Sequence, residues 1–188
     1  MVTRRMLLGG TATAGILTFM PKMVHAANGW AINPEAITTH RVPGSAATVD
    51  LLPGVTATIL IHIARRWHYE IAPLDTGEGG GIAGLSGTAI ALHPTAYPPG
   101  GSEWLWPHHR AIVVDILADC DGTVLWGGHL SPAAVSHFHI AVPPHSKALA
   151  VVAGRLETGR HTGFRRQTAG AVADPRSPER QRRLARGR

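Results

Sequence analysis

A chain of 188 residues can build one domain with a full hydrophobic core but not two comfortable ones. Its formal charge of +6 sits at the ends: residues 27–157 carry six Lys or Arg against ten Asp or Glu, residues 158–188 carry nine Arg against two acids, and the first 26 residues add three cations. With Cys120 as the single cysteine, an intramolecular disulfide and a cysteine-built zinc site are both excluded.

The N-terminus opens with Thr3-Arg4-Arg5-Met6-Leu7-Leu8, continues as an apolar run to Met20, and ends in Pro21-Lys22 and Val24-His25-Ala26-Ala27. A positive segment, an apolar segment and a small-residue cleavage site make residues 1–26 a secretory signal. The paired arginines point to the twin-arginine route, which exports folded proteins, so the expected location is extracytoplasmic, in periplasm or cell wall. Against the other reading, an uncleaved anchor, stands an apolar run that is short for a span and diluted by glycine and threonine.

In residues 29–52, Pro34, Pro43 and Gly44 interrupt regular structure, and the alternation Thr48-Val49-Asp50-Leu51 predicts one short strand. Ile59, Leu60, Ile63, Ala64 and Trp67 follow helical spacing, which predicts a helix over 53–66 with a strand at 69–71 behind it. Glycines dominate 76–84 and predict a loop; 88–92 is an expected buried strand and 94–101 a turn-rich crossover. A second helix is expected over 107–120, with Cys120 as a small buried hydrophobe, His108 and His109 exposed in the first turn, and Asp115 and Asp119 solvated. Strands at 123–126 and 136–142 follow, the latter stopped by Pro143-Pro144, and Ser146 caps a last helix to 156 with Leu149, Val152, Ala153 and Leu156 as its apolar stripe. Helices and short strands interleave without βαβ repetition, so the fold class is α+β, a small antiparallel sheet with about three helices. The expected folded unit spans 27–157. The Arg-rich tail, 158–188, has almost no large apolar residues and is expected to be disordered. It could touch anionic wall polymer or lipid headgroups, or extend into solvent without a partner; nucleic acid is not an expected partner, because only Phe164 accompanies the arginines and the protein is exported.

Certain blocks carry a family likeness. Leu85-Ser86-Gly87-Thr88-Ala89-Ile90-Ala91-Leu92, Trp126-Gly127-Gly128 and His137-Phe138-His139-Ile140 occur in that order, with Val42-Pro43-Gly44, Arg65-Arg66-Trp67-His68-Tyr69-Glu70 and Val142-Pro143-Pro144 around them. Together they resemble the bacterial zinc D-alanyl-D-alanine carboxypeptidases and L-alanyl-D-glutamate endopeptidases, in their actinobacterial exported form, over residues 29–156. The resemblance implies a zinc held by a histidine and an aspartate of the first block and a histidine of the last strand, with a carboxylate three residues before that histidine as general base. An open coordination position is what a hydrolytic zinc needs, to lower the pKa of a bound water and polarise a carbonyl. Here those positions fall on Gly84, Ala91 and His137, with Ala134 at the general-base position, so only His137 retains a ligand side chain and zinc is in question.

Residues two apart on a strand share a face, so His93 could stand in for position 91 and His139 could accompany His137, with His129 after Trp-Gly-Gly as a further candidate. A displacement of roughly 6–7 Å works against that replacement, because ligand distances tolerate far less. At the strand end before Pro94 a solvent-facing imidazole is ordinary, and that reading of His93 is the stronger one. Trp104 and Trp106 are candidate groove residues beside the crossover, and the resemblance implies an arginine near the scissile bond, Arg65 or Arg66. Two functions follow: an exported protein that binds peptidoglycan stem peptides without cleaving them, or an active zinc metallopeptidase with a remodelled histidine site. A gene copy without selected function is a third.

Overall fold

The computed structural model describes residues 28–76, 86–102 and 104–158. The expected signal, the glycine loop with Gly84, and all of the Arg-rich tail beyond Thr158 lie outside the described residues.

The order of elements is β1 (Thr38–Arg41), β2 (Thr48–Leu51), α1 (Val55–Glu70), β3 (Ala89–Ala91), α2 (Pro107–Asp119), β4 (Val124–Trp126), β5 (His137–Ile140) and α3 (Lys147–Glu157), with short 3-10 turns at Pro34–Ala36 and Gly127–His129. β1 and β2 form an antiparallel hairpin in which Thr38 pairs with Leu51 and Arg41 with Thr48. A second antiparallel sheet runs β3-β5-β4. Three helices and two small antiparallel sheets make an α+β fold.

Two expectations are corrected. Residues 38–41 form a strand, although Thr-Thr-His-Arg shows no apolar alternation; β2 supplies the apolar side of the hairpin through buried Val49 and Leu51. The strand expected at 69–71 does not exist, because α1 continues to Glu70. Its last turn is held by the Arg66–Glu70 pair at i, i+4, with both side chains largely shielded from water.

One face of α1 is continuous with the core. Ile59, Leu60, Ile63 and Trp67 are fully buried, and the Trp67 ring meets Phe138 of β5 edge to face at 5.9 Å. Burying side chains of this size contributes about 2–3 kcal/mol each. Leu149, Val152 and Leu156 of α3 and Val113 and Ile116 of α2 close the same cluster. Thus α1 covers the inner face of the β3-β5-β4 sheet, that of Ile90, Phe138, Val124, Trp126 and Ile140.

The Ser-Gly-Thr block ties the two sheets together. Leu52 donates its N–H to the Gly87 carbonyl at 2.9 Å, and a Cβ on Gly87, whose φ is +62°, would strike the Leu52 nitrogen. The Ser86 and Thr88 hydroxyls lie 2.8 Å apart, and the Asn28 amide donates to both Thr88 Oγ1 and the Ile140 carbonyl. Residues of the first block therefore fasten the N-terminal segment, the hairpin and β5 at one point.

Candidate functional site

The outer face of the β3-β5-β4 sheet carries the candidate site. Register alternation puts Ala89, Ala91, Leu125, His137 and His139 on that face, because Ala91 is the cross-strand partner of His137, and His139 stands between Ala89 and Leu125. Both alanines are buried and both imidazoles half-buried. The His137 and His139 rings are 5.3 Å apart between centroids. Burial lowers the pKa of each below the ordinary histidine value, and for His137 the neighbouring His139 lowers it further. Both are therefore neutral imidazoles near pH 7, and Nδ1 of His139 is buried with no hydrogen-bond partner among the described residues.

Ala134 belongs to the same spot. Its carbonyl accepts the His137 N–H at 2.9 Å and its side chain is buried. Gly127 makes this approach possible: its own carbonyl accepts the Ala134 N–H, and a Cβ there would overlap the Ala134 carbonyl and crowd His137 Cβ at 3.0 Å. Trp126 completes the support by donating its indole N–H to the Val135 carbonyl at 2.7 Å. Positions 91, 134 and 137 are thus neighbours along the backbone, and they carry two methyl groups and one imidazole. Gly84 lies outside the described residues.

His93 takes a different place from the one read off the strand. It follows β3 with φ at +55°, inside the protein at 8% exposure. Trp67 donates its indole N–H to Nδ1 at 3.0 Å, and Nε2 sits 2.9 Å from the Pro73 carbonyl, which can only accept. The ring is therefore the Nε2–H tautomer, and each nitrogen has a protein partner. A metal would have to displace one of these bonds. His93 holds the end of α1 against the sheet, which replaces the expectation of a solvent-facing imidazole.

His129 is exposed and packs edge-on against Trp126 with centroids 5.2 Å apart. Among the described residues no three His, Cys, Asp or Glu side chains are arranged to hold a metal ion. The donors on the sheet face, two neutral imidazoles beside alanines, do not fit the three-ligand hydrolytic zinc that the sequence resemblance implies.

The other candidates separate. Trp104 and Trp106 flank buried Leu105 at the start of α2, with 57% and 68% of their surfaces exposed, so their rings are available to a ligand. Arg66 is not: it bonds both carboxylate oxygens of Glu70 at 2.6 Å, Asp115 at 3.0 Å and Asp119 at 2.9 Å. Burial works against its charge, but the three carboxylates outweigh that and hold its pKa above the ordinary arginine value. Arg65 is exposed and lines a separate groove with His62.

Asp119, expected to be solvated, is 4% exposed. Burial alone would raise its pKa, yet His62, 3.4 Å away, and Arg66 bring it down to about 2. Asp115 is half-buried in the same network. The sequence signal for this cluster was the row His62, Arg66 and Glu70 at i, i+4 and i+8 facing Asp115 and Asp119 at i, i+4 of a second helix. Cys120 is fully buried, and that burial pushes its thiol up to about 12. His108 is exposed as expected, whereas His109 is half-buried, with its pKa lowered by burial and by His108.

Comparison with protein-family models, curated proteins and solved structures found no match.

Proposed function

We propose that this chain is an exported protein with the frame of a zinc D,D-carboxypeptidase, and that it binds peptidoglycan stem peptides without cleaving them. The observation that supports the reading is the pairing of Ala91 with His137 across β3 and β5, with Ala134 one hydrogen bond away. Three positions that the resemblance assigns to metal and proton transfer converge at one place on the sheet, and two of them carry methyl groups. A methyl group cannot coordinate an ion or move a proton. What remains suits recognition: neutral imidazoles that donate and accept hydrogen bonds, and, at the start of α2, exposed tryptophan rings that offer flat apolar contact. Export by the twin-arginine route and contact of the tail with anionic wall polymer or lipid belong to the same proposal.

The test is to titrate the full mature chain with a peptidoglycan stem pentapeptide while following tryptophan fluorescence, then to recover the peptide and determine its mass, with and without added zinc. The proposal expects saturable binding and an unchanged peptide mass in both cases. Release of a terminal residue, or absence of binding, overturns it. The alternative, an active zinc metallopeptidase with a remodelled histidine set, would have to work from His137, His139 and His129, since His93 is engaged on both nitrogens.

A further inference from the structure

A second groove of about 390 Å³ opens on the other side of α1, bordered by His40 of β1, by Thr58, Ile61 and Arg65 of α1 and by Leu156 and Glu157 of α3. Residues 58, 61 and 65 occupy the helix face turned away from Ile63 and Trp67, which point into the core. The body of the helix and the sheet beneath it therefore separate this groove from the outer sheet face of His137.

Two opposite charges face the groove. Arg65 is exposed and makes no hydrogen bond or ion pair among the described residues. Glu157 accepts a 3.1 Å hydrogen bond from the Thr58 hydroxyl, which fixes the carboxylate at the level of residue 58, and no ion pair joins it to Arg65. Seven residues of helix span about 10 Å, and helical side chains lean toward the N-terminus, which carries the Arg65 head back toward Ile61 and Glu157. Cation and anion are thus separated by roughly 7–10 Å, the extended length of two or three residues. Between them the wall is apolar, from Ile61 and Leu156.

We propose that this groove binds the zwitterion of a short peptide, two or three residues long, with its terminal carboxylate on Arg65 and its terminal ammonium on Glu157. The guanidinium fork matches a carboxylate in two parallel hydrogen bonds, and the Glu157 carboxylate keeps acceptor capacity beyond its bond to Thr58. The volume is that of a small-molecule pocket. Nothing in this site depends on the sheet-face reading, since the two share no residue.

The experiment is calorimetric titration of the protein with trialanine, and in parallel with N-acetyl-trialanine and with trialanine amide. Saturable binding of the free peptide, weakened about tenfold or more by blocking either end and by either Arg65→Gln or Glu157→Gln, is expected. Glu35→Gln, on the exposed 3-10 turn away from the groove, should leave this affinity unchanged. Equal binding of blocked and free peptide, no saturation at millimolar trialanine, or undiminished affinity in both Arg65→Gln and Glu157→Gln each overturns the proposal. The blocked-peptide comparison is made on the unaltered protein and so is independent of how the variants fold.

Discussion

Ala91 and His137 stand directly opposite each other on β3 and β5, a methyl group facing a half-buried imidazole. Position 134 touches the same strand end through the hydrogen bond from the His137 N–H. The arrangement lacks the donors a hydrolytic metal needs, and it rests on supports whose removal is measurable.

His93 is the first of these supports. Replacing it with alanine removes the acceptor for the Trp67 indole N–H and the donor to the Pro73 carbonyl inside the core. We expect His93→Ala to lower the unfolding free energy by about 2–4 kcal/mol in urea titrations. A loss under about 0.5 kcal/mol, the range of ordinary surface substitutions, would show that His93 is not structural.

Gly127 and Gly154 provide a contrast. A Cβ on Gly127 meets the Ala134 carbonyl, whereas one on Gly154, in the exposed part of α3, meets nothing within 4 Å. Gly127→Ala should destabilise by at least about 2 kcal/mol and shift the His137 ring resonances. By comparison, Gly154→Ala should stabilise by about 0.5–1 kcal/mol through helix propensity. Equal melting temperatures for the two variants would contradict the packing described.

The acid limb of stability should belong largely to Asp119. Its folded pKa, about 2, lies below the ordinary carboxylate value of 3.8, so its contribution is fully present above about pH 4 and is lost as the pH falls through 2. A shift of this size corresponds to about 2 kcal/mol. Asp119→Asn should cost about that much or more at pH 7, since it also strips His62 and Arg66 of a buried partner, and should flatten the dependence between pH 4 and 2. An undiminished acid slope in the variant would place the effect elsewhere.

The histidine pair should titrate low. His137 and His139 are both held below the ordinary histidine value by burial, and His137 also by its neighbour. In an NMR titration their midpoints should fall below 6.5, and His139→Ala should move the His137 midpoint upward. Stability from this pair is full above the unfolded value and declines as the pH falls through the folded values. A His137 midpoint unmoved by His139→Ala would mean the rings do not interact.

Much of the fold was legible because it follows apolar period. The stripe Ile59, Leu60, Ile63, Trp67 placed α1, the buried run around Ile90 placed β3, and Leu149, Val152, Ala153 and Leu156 placed α3. β1 was not legible, since Thr38, Thr39 and Arg41 are exposed and the strand exists through its pairing with β2. The end of α1 was misread for a related reason: Tyr69 and Glu70 look like strand residues, and what keeps them helical is the pair with Arg66 and a network reaching residues 49 and 53 positions away. Local spacing cannot show partners that far apart. At the site, the face of His137 and His139 was readable from strand alternation, but the role of His93 was not. A positive φ after β3 turns that ring inward to Trp67 and Pro73, where alternation would have placed it beside Ala91.

Zinc stoichiometry tests the central claim most directly. The protein and a triple variant, Gly84→His, Ala91→Asp and Ala134→Asp, would be dialysed to equilibrium against zinc and analysed for metal and chain concentration. The account predicts no stoichiometric zinc in the unaltered protein and about one zinc per chain in the variant, because the substitutions return a histidine, an aspartate and a carboxylate to the positions the resemblance assigns to them, two of which, 91 and 134, neighbour His137. Stoichiometric zinc in the unaltered protein that disappears in His137→Ala, or no zinc in the triple variant, would contradict it.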